Sequence, residues 1–188
     1  MNSALTALTL VLACTLPACS SETTGDDLQG VASVIDGDTI EIHGTRIRLN
    51  GIDAPESGQH CQDAGGKAWR CGQQASLALA DRIRRQVVSC QQTDTDRYGR
   101  VVADCFVGRE NLNRWMVREG WAVAYRQYST AYIPAEDHAR TGQRGIWQGR
   151  FDMPWDWRAE RRSGQNAAPT MSRLYELAGQ NWSCSPRR

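Results

Sequence analysis

The sequence predicts an α+β domain, in which five strands form a small closed barrel and about three helices pack against it. Three observations carry this prediction. Across residues 31–52 apolar side chains alternate in steps of two, broken by Asp36-Gly37 and His43-Gly44. From 68 to 85 the period lengthens to that of a helix, and two further strand-like runs follow it at 87–90 and 100–107. At 188 residues, 40% of them hydrophobic and 23% charged, the chain has room for one domain with a real core.

Taken in order, residues 1–19 read as an export leader. Residues 4–12 are apolar, about the length of a signal h-region and too short to span a bilayer. Leu16-Pro17-Ala18-Cys19 resembles a bacterial lipobox, which would make Cys19 a lipidated membrane anchor; cleavage after Ser20 is the alternative. Both routes export the protein, to the cell envelope or beyond it. Residues 20–30, rich in Ser, Thr, Gly and Asp, form an expected flexible tether. In the domain expected over 31–158, Val34, then Ile40 and Ile42, then Ile47 and Leu49 make the apolar rows of a three-stranded antiparallel meander. Cys71, Ala75, Ala78, Leu79 and Ile83 share one face of the first helix. A polar loop ending in Tyr98-Gly99 joins the next two strands. Leu112, Trp115 and Met116 mark a second helix stopped by Gly120. A third has Pro134 at its first turn, Glu136 and Asp137 near its start, Arg140 and Arg144 toward its end, and Gly145 just beyond. Residues 159–188 form a polar tail, with a helical hint at Leu174 and Leu177 and no assigned function.

A formal net charge of +1 does not by itself announce a nucleic-acid binder. Glu22, Asp26 and Asp27 lie in the first 30 residues, which hold no base, so the rest of the chain carries 22 bases against 18 of the 21 acids. All those bases except Lys67 are Arg, whose planar fork suits phosphate; a GC-rich genome accounts for the same bias. Five cysteines follow the leader. There is no Cys-x-x-Cys pair and the three His are scattered, so disulfides fit better than zinc. Cys61 is expected to pair with Cys71 across a Gly-containing loop, and Cys90 with Cys105 across neighbouring strands, leaving Cys184 alone. Disulfides also suit an exported protein.

Three segments carry candidate chemistry. Asp36-Gly37-Asp38 places two carboxylates beside a glycine, which suits a hard cation but is equally a hairpin turn. In Arg46-Ile47-Arg48-Leu49-Asn50-Gly51-Ile52-Asp53-Ala54-Pro55-Glu56, the arginines lie on the face opposite Ile47 and Leu49, and Asp53 and Glu56 project where Pro55 ends the strand. In Asp96-Arg97-Tyr98-Gly99-Arg100, a turn offers a tyrosine ring and two guanidiniums; such a loop is equally a solvated surface.

In their order and spacing these segments resemble the staphylococcal-nuclease (thermonuclease-like) family, and Gly145-Ile146-Trp147 resembles its closing Gly-Ile-Trp. The resemblance covers about residues 31–157. It implies an oligonucleotide-binding (OB-fold) barrel and a calcium-dependent endonuclease that acts on DNA or RNA and leaves 3′-phosphate and 5′-hydroxyl ends. It also implies calcium ligands at Asp38, Asp53 and the carbonyl of Ala54, where many relatives have Thr. Glu56 matches the general base, and Arg48 and Arg100 match the arginines that grip the phosphate. Arg97, Tyr98, Tyr125 and Tyr128 match nucleotide contacts, although the spacing at the last two departs by one residue. The substrate implied is single-stranded or frayed nucleic acid met by a monomer, since stacking and cationic contacts are indifferent to sequence. The rival reading is a non-catalytic nucleic-acid-binding OB-fold module of the cell envelope. Degenerate copies of that kind tend to lose the carboxylates, which this chain keeps. A further alternative is an envelope protein that uses calcium only for stability.

Overall fold

A computed structural model describes residues 28–166. The leader with Cys19, and Leu174, Leu177 and Cys184, lie outside the described residues. The chain begins with β1 (Leu28–Val31) and β2 (Ser33–Asp36), which are separated only by Ala32, followed by β3 (Thr39–Ile42) and β4 (Thr45–Leu49). Ile40 lies opposite Ile47 and Ile42 opposite Thr45, so the two-residue loop His43-Gly44 sets the register of β3 on β4. Both loop residues have positive φ, 51° and 80°, the primed turn that matches strand twist. β5 (Ile52–Asp53) continues past Gly51, and β6 (Cys61–Gln62) pairs with β7 (Ala68–Trp69).

Next come α1 (Cys71–Ile83), β8 (Val87–Thr95) and β9 (Val101–Val107). β9 lies parallel to β4 and antiparallel to β8, whose other edge pairs with β1. The path β1-β8-β9-β4-β3-β2 therefore starts and ends in the single segment 28–36. This is the predicted five-stranded curled barrel, with its first strand broken at Ala32 and shared by both ends. Ile40, Ile42, Ile47, Leu49, Val88 and Ala103 fill the interior, against Leu79 and Ile83 of α1. β10 (Glu110–Asn111) is a short addition to β9. Asn111 then caps α2 (Leu112–Arg118), its side chain accepting from the N–H of Arg114 at 2.7 Å. β11 (Val123–Ala124) pairs antiparallel with β5, and buried Glu136 of α3 (Ile133–Thr141) secures it by accepting from the N–H of Ala124. A 3-10 turn, Gly145–Gln148, precedes α4 (Pro154–Asn166).

Four expectations need correction. Leu28, Gln29 and Gly30, placed in the tether expected over 20–30, are strand. The boundary placed at 158, with a tail from 159, cuts through α4: Pro154 and first-turn Asp156 mark a helix start whose later turns are too polar to show an apolar stripe. The α-helices thus number four among the described residues rather than three, and the third ends at Thr141, short of Arg144. β8 runs on to Thr95, because Gln92, Asp94 and Thr95 pair with β9 although their exposed side chains carry no apolar signal.

Both expected disulfides are present. Cys90 and Cys105 are direct cross-strand partners with Cα atoms 4.1 Å apart. Cys61 of β6 bridges 5.6 Å to Cys71, the first residue of α1. For loops this short, chain entropy gives roughly 3 kcal/mol each. Non-reducing peptide mapping is expected to recover these two bridges, with Cys184 joined to neither.

Candidate active site

The site forms where the β2–β3 turn meets the end of β4 and β5. Asp36 Oδ1 accepts from the N–H of Asp38 at 3.0 Å, so the Asp36-Gly37-Asp38 turn is self-stabilised. It is more than a solvated turn. A Cβ on Gly37 would lie 2.7 Å from the Ala54 Cβ and 3.0 Å from the Ala75 Cβ, so the missing side chain lets the turn lie against α1 and the strand end. Asp38 is buried as a result. Burial, then the negative charge of Asp38, pushes the Asp36 carboxyl up to about 7.

Asp53, in β5 beside β11, has no exposed surface. Arg48 reaches from β4 to both acids, donating Nη1 to Asp38 Oδ1 at 2.7 Å and Nη2 to Asp53 Oδ1 at 2.9 Å. The N–H of Ala54 donates to Asp38 Oδ2 at 3.1 Å, and Thr39 Oγ1 to Asp38 Oδ1 at the same distance. Two buried carboxylates thus converge within the span of one guanidinium. Burial raises the Asp53 pKa, offset in part by Arg158 and Arg48. Burial disfavours the Arg48 charge, but Asp38 and Asp53 outweigh it and hold the guanidinium firmly protonated.

Glu56 is held through its backbone. Buried Gln59 donates its N–H to the Glu56 carbonyl at 2.7 Å and accepts the Glu56 N–H on Oε1 at 3.3 Å, while its Nε2 donates to the Asp152 carbonyl at 2.7 Å. Gly72 in the first turn of α1 presses on the same carbonyl, since a Cβ there would lie 1.7 Å from it. The Glu56 side chain is about one-third exposed and so reaches solvent.

Sequence reasoning missed Arg158. From α4 it donates Nη1 to Asp53 Oδ1 at 3.0 Å and to Glu56 Oε1 at 2.8 Å, and Nη2 to Asp53 Oδ2 at 2.8 Å. Burial opposes its charge, yet its hydrogen bonds to Asp53 and then Glu56 raise its pKa well above the ordinary arginine value. Gln59 was missed too. Its only signal was a polar residue between the proline turn and the first domain cysteine.

Asp38, Arg48, Asp53, Ala54 and Glu56 therefore belong to one hydrogen-bonded network. The remaining expected residues lie around it. Arg100 precedes β9 on the face that carries Arg48, by the register of Arg48 on Val102, and donates Nε to Asp96 Oδ2 at 2.7 Å. Despite slight burial, the backbone and side-chain hydrogen bonds from Arg100 keep the Asp96 carboxyl below its usual range. Tyr98 is exposed, with the guanidinium carbons of Arg97 and Arg100 at 4.9 and 5.7 Å from its ring centre. The β5–β11 ladder brings Tyr125 to the same edge, but its ring stacks on Trp155 at 5.3 Å and meets Tyr128 edge-on at 4.8 Å. Only the Tyr128 ring of that pair is well exposed.

Among the described residues, no three His, Cys, Asp or Glu side chains form a metal cage. The donor set nonetheless suits a hard divalent cation: two buried carboxylates converge there, and such a cation takes its remaining ligands from carbonyl and water oxygens.

Residues 46–149 match the model of the staphylococcal nuclease homologues. The chain belongs to this family. It is 33% identical over 184 residues to a "Micrococcal nuclease" of Shigella flexneri, covering 88% of this chain and all of that protein. An "Uncharacterized endonuclease" of Escherichia coli is 37% identical over 141 residues, 70% of this chain and 86% of that one. The "Succinoglycan biosynthesis protein ExoI" of Rhizobium meliloti is 41% identical over 124 residues, covering 64% of this chain and 65% of its own length. Asp38 and Arg158 both lie outside the segment matched by the family model.

Proposed function

We infer that this chain is an endonuclease of the micrococcal type, and we propose that it is exported, calcium-dependent and indifferent to sequence, leaving 3′-phosphate and 5′-hydroxyl ends on DNA or RNA. The observation that carries this reading is the network joining Asp38, Arg48, Asp53 and Glu56 at one edge of the barrel. Two disulfides favour export, and lipidation at Cys19 is one route to a membrane-anchored form.

Asp38, Asp53 and the Ala54 carbonyl would hold calcium, which supplies positive charge and orients water when bound. The rest falls to side chains. Glu56, open to solvent, takes a proton from the attacking water. Arg48 and Arg100 donate to phosphate oxygens as negative charge builds. Arg100 spends only its Nε on Asp96, and its Nη atoms form no hydrogen bond among the described residues. Exposed Tyr98 and Tyr128 offer ring faces to unpaired bases, with Arg97 beside the first, which favours single-stranded or frayed substrate.

With only two protein carboxylates, calcium affinity is expected near that of extracellular modules, about 10⁻⁴–10⁻³ M. Purified protein should cut single-stranded DNA and RNA in millimolar calcium and stop in EGTA. Equal, negligible cleavage in both conditions would defeat the reading, and end-group analysis of the products tests the 3′-phosphate.

A further inference from the structure

Arg158 lies beyond the matched family segment yet makes three hydrogen bonds at the centre of the site. It takes both oxygens of Asp53, and Arg48 takes a second position on Oδ1. A cation that ligates Asp53 would approach to about 2.3–2.6 Å of an oxygen. That edge of the carboxylate is already covered by a guanidinium fork, and a divalent cation and an arginine repel each other strongly at such range.

Local charge points the same way: a divalent cation at Asp53 would bring two positive charges beside the guanidiniums of Arg48 and Arg158, which already pair with that carboxylate. Asp53 is fully buried and so needs cationic partners, because an uncompensated internal carboxylate is strongly destabilising.

The inward contacts of α4 end with Arg158: Pro154 is buried, Trp155 stacks on Tyr125, and residues 159–164 are exposed.

We propose that Arg158 is a tethered counter-cation for Asp53 that competes with a divalent cation, so that the two hold this carboxylate in turn. Withdrawal of Arg158 also frees the carboxylate of Glu56, so occupation of the cation position and release of the general base are coupled. The proposal rests on the calcium reading given above.

The test is calorimetric titration of calcium chloride into the whole chelator-stripped chain, without nucleic acid, for the wild type, R158M and R158K. If the engaged form makes up roughly nine-tenths of the metal-free protein, losing it tightens apparent binding about tenfold. R158M should therefore bind calcium about tenfold tighter than the wild type. Its metal-free Tm should be lower, and calcium should restore it. R158K, which makes fewer contacts, should fall between the two, and it carries the test alone if R158M does not fold without metal. Unchanged or weaker affinity in whichever variant folds overturns the proposal and leaves the calcium reading standing. No calcium binding by any of the three proteins overturns both.

Discussion

Glu56→Gln is expected to lower the rate of phosphodiester cleavage by at least about 10²-fold, the usual contribution of a positioned general base. The change keeps the size of the side chain and leaves the backbone bonds between residues 56 and 59 in place. The carboxylate is partly exposed, so its pairing with Arg158 contributes little to stability and Tm should move by only a few degrees. A fall in kcat with KM little changed is the signature of a group that acts in the transition state. Cleavage within threefold of the wild-type rate, in a variant of normal Tm, would remove Glu56 from the mechanism. Substrate binding measured in the same variant separates this from a merely structural role, because Glu56 is not among the arginines and tyrosines expected to hold nucleic acid.

What the sequence revealed about this site, and what it hid, follows from the range of the interactions. Ile40, Ile42, Ile47 and Leu49 were legible as barrel wall because a period of two survives in any strand with one buried face. Cys90 opposite Cys105 was legible because two predicted neighbouring strands each carried one cysteine. The Asp38, Asp53 and Glu56 positions were legible only as an ordered set, since each motif alone reads equally well as a turn or a strand end. Arg158 left no such trace. Its partners are 102 and 105 residues away in sequence, and α4 has a polar outer face that masks its helical period. The β5–β11 ladder was invisible for another reason: two paired residues have no periodicity to detect. That ladder sets Tyr125, the next residue after β11, beside the end of β4 and β5. Tyr125, expected to stack on nucleotide, is stacked on Trp155, while Tyr128 is exposed.

The other large effect is expected from a residue with no functional group. Gly72→Ala should destabilise the protein by about 3 kcal/mol, the upper part of the range for forcing extra volume into a packed site, and should lower activity in the folded fraction about 10²-fold. The new Cβ would sit 1.7 Å from the Glu56 carbonyl oxygen and 2.4 Å from its carbon, so backbone must move on one side or the other. On one side is α1, pinned at Cys71 by the bridge to Cys61 and packed through Ala75 against Gly37. On the other is the turn that carries Glu56, tied through Gln59 to the carbonyl of Asp152. The turn has the fewer buried anchors, so it is expected to yield, and Glu56 moves with it by about an ångström relative to Asp38 and Asp53. The same substitution at Gly164, in α4 with open space around its Cβ position, should instead raise stability by roughly 0.5–1 kcal/mol through helix propensity alone. Thermal melts and cleavage rates for the two variants side by side make the comparison. If Gly72→Ala and Gly164→Ala behave alike in both, the close approach of α1 to Glu56 is not what positions the base.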